Sequence, residues 1–432
     1  MRENKNASFV LKGAIAYSKD ANTIETYANG YLVCENKKCA GVYRKLPKKY
    51  ENLPIVDYGD RLIIPGMTDL HVHAPQYTFR GIGMDLELLE WLNQHTFPEE
   101  AKYVNVEYAK QAYAYFVQDL KRCFTTRAVI FATIHNESTV ALMDQLEETG
   151  MVTYVGRVNM DRNSVPALQE ENAEVSLRGT ERWLKEIEGK YGNTYPILTP
   201  RFIPSCSDEL MQGLGKIAQE KGLRIQSHLS ENQSEIAWVR ELVPTADCYA
   251  KAYESFGALA EPGRPTIMAH CVYSDEREIE LMKKHGTFVA HCPDSNMNLS
   301  SGIAPIRRFL DAGLQVGLGT DVAAGSSMNM LKTILCALQV SKMYYRMVDT
   351  NVKALSFEEA FYLSTAGGGS YFGKVGTFLE DYEFDALVID DSKMYSMREM
   401  SIRERLERMV YNDSDCVIMD KYVKGMQIYR KE

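Results

Sequence analysis

The sequence predicts an α/β fold: a (β/α)8 TIM barrel with a small flanking β-sandwich domain built from both termini. Three observations carry that expectation. From Gly66 onward, apolar β-branched runs alternate with helical stretches such as 106–122 and 209–221, the pattern of parallel strands joined by crossover helices. Eight such runs can be placed, and from His71 in the first to Asp321 in the last is 250 residues, the usual span of an eight-fold barrel. Before and after that stretch the chain reads as short β runs separated by polar turns.

Taken in order, the first 65 residues contain ASFVLKGAIAYS, YLVCE, AGVYRKL and the run RLIIP ending at Pro65. Val, Ile, Tyr and Leu between polar turns favour a small antiparallel sheet. The barrel strands are read as PGMTDLHVH (65–73), RAVIFATIH (127–135), VTYVGRVNM (152–160), YPILTPRF (195–202), LRIQSHL (223–229), TIMAHC (266–271), TFVAHC (287–292) and LQVGLGTD (314–321). Residues 356–364 then read as a helix, followed by a glycine-rich turn at Gly367, Gly368 and Gly369. FDALVID (384–390) and CVIMDKYVKGMQIYR (416–430) return to short strands. The expected domains are therefore residues 66–370 for the barrel, with 1–65 and 371–432 as the two parts of the small β domain.

Composition narrows the function classes. With 45% hydrophobic and 25% charged residues the chain is an ordinary soluble globular protein, which excludes disorder and collagen-like repeats. A net charge of −9 without a basic block gives no electrostatic footprint for nucleic acid or an anionic membrane, so a small molecule is the expected partner. No apolar stretch approaches the ~18 residues of a spanning helix, and MRENKNASFVLKG lacks the apolar segment of a secretory signal, so a cytoplasmic location is expected. Nine cysteines without a CxxC pair read as reduced thiols; Cys34 and Cys39 come closest to a pair, and a strand followed by a polar turn accounts for them. Met343 and Met347 read as core filling.

Six of the eight histidines (71, 73, 135, 228, 270 and 291) fall at or near the end of a predicted strand, whereas His95 and His285 fit none. In a parallel barrel the C-terminal strand ends form the active-site face, so these imidazoles would converge on one mouth. His71 and His73, two apart on a strand, point to the same face and can bind one cation. With His228 and Asp321 at the ends of strands five and eight, they make a ligand set suited to Zn²⁺ or Fe²⁺ with a position open for water. His270, at the end of strand six, is then left to hydrogen-bond that water or the reacting group. The core pattern does not require His135 or His291. Water on such a metal is acidified towards neutrality. Glu231, three residues after His228, is placed to shuttle protons, and its alternative reading is an acid at the N-terminus of the following helix. Asp321 would serve as ligand and as the base that takes the first proton from the water.

The arrangement resembles the amidohydrolase superfamily, and within it the branch that deaminates guanine. The resemblance rests on PGMTDLHVHAPQYTFRG (65–81), LLEWLNQHTFPEE (88–100), TPRF (199–202), SHLSEN (227–232), MAHCVY (268–273), HCPDSNMNLSSG (291–302) and LGTDVAAG (318–325), which span the barrel in order. HAPQ, PRF and HxxE belong to the guanine-acting branch; HxH and the final Asp belong to the whole superfamily. Asp294 and Ala324 stand where Asn and Gly are expected.

What the resemblance implies is the hydrolytic deamination of guanine to xanthine and ammonia, with one Zn²⁺ per chain, or Fe²⁺ as second choice, and a homodimer. It also implies that Gln76, Arg201 and Phe202 contact the purine alongside His73, His228, Glu231 and Asp321. Arg201 donates only and suits a carbonyl oxygen, while Gln76 offers a donor and an acceptor to a purine edge. A salt bridge to an acid remains the other reading for Arg201, and core packing for Phe202. The competing classes are an aminohydrolase of another purine, a pterin or a triazine; a two-metal cyclic-amide hydrolase, disfavoured because YPILTPRF contains no bridging Lys; and a barrel scaffold without catalysis, disfavoured because every ligand position is filled.

Overall fold

Four strands open the chain: Phe9–Asp20 (β1), Thr23–Glu35 (β2), Lys38–Tyr43 (β3) and Ile55–Pro65 (β4). The structure, a computed structural model, describes residues 8–259 and 263–431, so the first seven residues of the segment read for a secretory signal lie outside the described residues. β1, β2 and β3 pair antiparallel as the sequence suggests, but β4 runs parallel to β1. The difference arises because residues 44–54, with a 3-10 turn at Lys48–Tyr50, carry the chain back across the sheet before β4 begins. β2 is also longer than YLVCE alone: the polar stretch before it pairs with β1 down to Thr23 opposite Asp20.

The barrel strands are Met67–His73 (β5), Thr125–Phe131 (β6), Val152–Gly156 (β7), Thr194–Pro196 (β8), Gln226–Leu229 (β9), Ile267–His270 (β10), Phe288–His291 (β11) and Gln315–Leu318 (β12). β5 to β8 pair in parallel, as do β9 to β12. A parallel bridge from Leu198 to Ile225 joins the two halves on one side. On the other side Asp321 N donates to His71 O at 2.8 Å and His73 N to Val322 O at 3.0 Å, which closes the barrel. The observed strands are shorter than the runs read from sequence, most clearly for β7, β8 and β12. The residues after β12 leave the ladder to form the mouth, while the β7 and β8 runs break and pair again as a short parallel ladder of Val158–Asn159 with Thr199–Pro200, so hydrophobic continuity overestimates strand length there. Leu70, Val129, Ile197, Ile267, Phe288 and Tyr371 form one apolar cluster of barrel residues, all buried.

The glycine-rich segment is not a turn. The helix Phe357–Tyr362 continues through a π-turn at Leu363–Gly367 and ends in a 3-10 turn at Ser370–Phe372. Its glycines allow close approach: a Cβ on Gly317 of β12 would lie 2.8 Å from the Gly368 Cα, and one on Gly369 would lie 2.7 Å from the Val375 carbonyl oxygen. Met343 and Met347 are 52% and 72% exposed, contrary to the core reading, because Leu331, Ile334 and Leu338 take the buried face of the Met330–Met347 helix.

Ala386–Asp390 (β13), Val417–Val423 (β14) and Met426–Arg430 (β15) complete a seven-stranded sheet in the order β15-β14-β13-β4-β1-β2-β3. The sheet curls until its far regions meet: Cys39 N donates to Tyr382 O and Phe384 N to Lys37 O, and Phe9 packs against Phe384 and Tyr422 at 5.3 and 5.5 Å between ring centres. Its apolar interior, with Leu11, Ile15, Leu32 and Val388, is the second core. Arg127 on β6 ties the barrel to this sheet through Asp385 at 2.7 Å and Glu383 at 2.6 Å.

Candidate active site

At the C-terminal mouth of the barrel, four side chains aim their donor atoms at one another. His71 and His73 of β5 place their Nε2 atoms 3.2 Å apart. His228 of β9 brings its Nε2 to 3.3 Å from that of His73. Asp321, three residues past β12, holds Oδ1 at 3.1 Å from His71 Nε2 and 3.4 Å from His73 Nε2. His71, His73 and Asp321 are buried, and His228 is partly exposed to the cavity above them.

Protonation states follow from this burial. It pushes His73 down to about 4, lowers His71 and puts His228 well below the usual imidazole range, so all three are neutral at physiological pH. Asp321 is held well below its ordinary carboxylate range in spite of its burial, so the face it shares with His71, His73 and His270 favours a negative charge there. His228 Nδ1–H donates to Arg201 O at 2.7 Å, which leaves its Nε2 as a lone pair. Neutral nitrogen lone pairs and a carboxylate so close together repel unless a cation lies among them. The donor set therefore fits a divalent metal. Two residue triads from this region, His71–His73–Asp321 and His71–His228–His270, have ligand atoms within 4.8 Å of one another, and so does His270–Cys292–Asp321. Burial raises the Cys292 thiol well above its usual range, and the thiol donates to Ala290 O at 3.4 Å.

Local backbone geometry aims these groups. His270 (φ 72°) and Asp321 (φ 48°) adopt the left-handed region that side chains other than glycine avoid, which marks strain at the points where the strands turn into the mouth. Asp69 braces the same seam: it accepts from His71 N at 3.2 Å, Thr320 N at 3.0 Å and Thr320 Oγ1 at 2.6 Å, so β5 and the end of β12 move as one. Burial pushes its carboxyl up to about 7. His270 Nδ1–H donates to Asn296 Oδ1 at 2.9 Å, and its Nε2 lies 3.4 Å from Glu231 Oε2 and 3.7 Å from Asp321 Oδ2.

Glu231 is not the acid that caps the following helix. Helix Gln233–Leu242 is capped by Asn232 and Glu235 in a reciprocal capping box, and Glu235 also accepts from Glu231 N at 3.1 Å. The Glu231 carboxyl instead turns into the cavity, 3% exposed, and is pushed well above the usual range by burial and by the charge of Asp321.

One cavity is lined by His73, Gln76, Arg201, Phe202, His228, Glu231, His270 and Asp321, with Leu88, Trp91, Leu92, Leu299 and Ala324. Of the residues read from sequence as site residues, only His71 is absent from that lining, since it lies beneath. Arg201 satisfies both of its readings: it forms an ion pair through Nη1 with Glu100 at 2.6 Å and it lines the cavity. Phe202 is both packed, at 6% exposure, and part of the cavity wall. His135, half-buried past the end of β6, and His291, buried at the end of β11, lie outside the lining, and His285 pairs with Glu254 at 2.9 Å. Asp294 accepts from Ser326 N and Oγ at 2.8 Å each, which orders the loop after Asp321.

Sequence reasoning gave no role to Glu100 and to Asp69. Glu100 closes the stretch LLEWLNQHTFPEE, and the one signal there is Pro98 inside an otherwise helical pattern. Asp69 stands two residues before His71 in a strand otherwise buried, where an unexplained acid signals a hydrogen-bonded brace.

A closed parallel barrel whose strand ends gather imidazoles, an aspartate and a buried glutamic acid around one point has the architecture of a metal-dependent hydrolase. The chain belongs to the amidohydrolase family, whose model matches residues 62–428. It is similar to the guanine deaminase of Dictyostelium discoideum, 35% identical over 99% of each chain. It is 37% identical to the human guanine deaminase over 84% of this chain and 82% of that one. Among solved structures it superposes on a guanine deaminase from C. acetobutylicum with bound guanine in its active site, at a TM-score of 0.94 and 45% identity over 98% of this chain and 100% of the other.

Proposed function

We propose that this protein hydrolytically deaminates guanine to xanthine and ammonia. The observation that carries the reading is a single cavity lined by Arg201 and Gln76 together with His73, His228, His270, Asp321 and Glu231, with His71 beneath it. The similarity to guanine deaminases supports the same substrate.

His71, His73, His228 and Asp321 would hold one divalent ion, Zn²⁺ by the preference of nitrogen and carboxylate donors, with Fe²⁺ second. When bound, such an ion lowers the pKa of a coordinated water to near neutrality. Asp321, already ionised, takes a proton from the attacking water. Glu231, whose surroundings favour its protonated form, gives its proton to the ring nitrogen as the water oxygen bonds to the amine-bearing carbon; the second water proton then passes through Glu231 to the amine, the C–N bond breaks to release ammonia, and the proton held by Asp321 returns to Glu231, so both carboxyls end as they began. His270 Nε2, close to both carboxylates, hydrogen-bonds the reacting group. Arg201 donates to the purine carbonyl oxygen, Gln76 reads the adjacent edge, and Phe202, Trp91 and Leu88 exclude water from the ring.

The nine free cysteines support a reducing, cytoplasmic setting. None of the described helices is long and apolar enough to cross a membrane. The resemblance and the prevalence of two-fold assemblies support a homodimer, which light scattering would reveal as about twice the 49.0 kDa chain. The substrate is tested with a panel of guanine, 2-aminopurine, adenine, a pterin and an aminotriazine. Guanine should exceed the purines lacking the carbonyl by about 10⁴-fold in kcat/KM, because they leave buried donors unpaired. A preference for any other member of the panel overturns the assignment.

A further inference from the structure

Residues 88–100 form a helical segment over the cavity, made of Leu88–Trp91, a π-turn at Leu92–Thr96 and Phe97–Glu100. Pro98 accounts for the π-turn: it has no N–H to return to the preceding turn and its ring crowds the carbonyl there, so the helix widens by one residue. The shift in register turns the last residues inward. The Phe97 ring lies 5.2 Å from the guanidinium carbon of Arg201. Glu100, 2% exposed, accepts from Arg201 Nη1 at 2.6 Å through one oxygen and from Gln76 Nε2 at 2.8 Å through the other.

This single carboxylate grips both side chains that face the substrate carbonyl edge, with two consequences. Gln76 cannot turn its amide over, because Nε2 is committed to Glu100 while Ala323 N donates to Oε1 at 3.3 Å. The charge of Arg201 is also balanced before any ligand enters, so the pair offers N–H donors with little net charge. We propose that Glu100 is the positioning residue that sets the pocket to favour a neutral oxopurine over an anionic one, an inference that rests on the function proposed above. It bears on product release. Xanthine is a stronger N–H acid than guanine, and an unbalanced Arg201 would hold its monoanion.

Besides Glu100 and Arg201, the charged and titratable groups facing a bound purine are His73, His228, His270, Glu231 and Asp321, and these stay constant when Glu100 alone is changed. The test compares the parent with Glu100→Gln and Glu100→Asp, each checked for metal content and melting temperature. Inhibition by xanthine and hypoxanthine is measured at one mildly alkaline pH, where xanthine is a monoanion and hypoxanthine neutral. Glu100→Gln should tighten xanthine relative to hypoxanthine by about tenfold or more, the effect of one uncompensated charge several ångströms away in a pocket of intermediate dielectric. Glu100→Asp keeps the charge on a shorter arm and should weaken both purines together, leaving their ratio as in the parent.

An unchanged ratio in Glu100→Gln, or the same change in Glu100→Asp, overturns the proposal and leaves Glu100 a packing residue. If Glu100→Gln does not fold, Arg201→Gln carries the test with the sign reversed, since the uncompensated carboxylate should disfavour xanthine relative to hypoxanthine. Failure of the underlying function is separately visible: the parent would then leave guanine intact, while calorimetric binding of the two purines would still report the charge balance.

Discussion

Replacing Glu231 by Gln removes a proton carrier and little else. The side chain is 3% exposed, its Oε2 lies 3.4 Å from His270 Nε2, and its carboxyl is pushed well above the usual range by burial and by Asp321. An amide has nearly the same shape and, like the neutral acid, carries no charge, so fold and metal content should not change. The helix cap is untouched because Asn232 and Glu235 provide it. What the amide cannot do is give up a proton and take it back. A positioned general acid–base contributes about 10²–10⁴-fold, or about 3–5 kcal/mol of barrier, and kcat for guanine should fall by that factor while KM changes only a few-fold. The assay follows guanine loss and xanthine appearance by absorbance, alongside metal analysis and thermal melts. Turnover within a few-fold of the parent, with metal and stability intact, would refute the shuttle.

Arg201→Leu should lower kcat/KM for guanine by about 10³-fold and shrink the discrimination against 2-aminopurine, with metal content unchanged; steady-state kinetics on both purines check this. Arg127→Leu leaves Asp385, 2% exposed, without its cation and should cost about 3–5 kcal/mol in denaturant melts, whereas a loss below about 1 kcal/mol would mean that the barrel and terminal sheet do not depend on this ion pair. Lys421, fully buried with its ammonium on Leu120 O and Thr125 O, is pushed down to about 8 from 10.5 by burial. Between those two pH values the unfolded chain carries the extra proton, so this lysine makes stability rise with pH there and has no slope below about 8. Across that window the parent should gain about 3 kcal/mol relative to Lys421→Met, and a flat difference would contradict the depressed lysine.

How much of this was legible in sequence depended on the period of the pattern. The HxH pair, the alternation of strands and helices and the 250-residue span were visible because they repeat locally. The parallel pairing of β1 with β4, the helical run through Gly367–Gly369 and the exposure of Met343 and Met347 were not, since each is decided by what packs from elsewhere in the chain. Glu231 could be located by its spacing from His228, but only the capping box of Asn232 and Glu235 frees it from the helix. Glu100 was hidden for a similar reason: a glutamate in a polar stretch gives no sign that a π-turn will bury it between Gln76 and Arg201, which lie 24 and 101 residues away in the chain.

The most direct test of the account titrates metal-free protein with Zn²⁺, and separately with Fe²⁺, while ammonia and xanthine released from guanine are measured together. Activity should rise linearly to about one equivalent of metal per chain and then level off, with one ammonia formed for each xanthine. Guanine left intact at full metal occupancy, or activity that requires two equivalents, would contradict it.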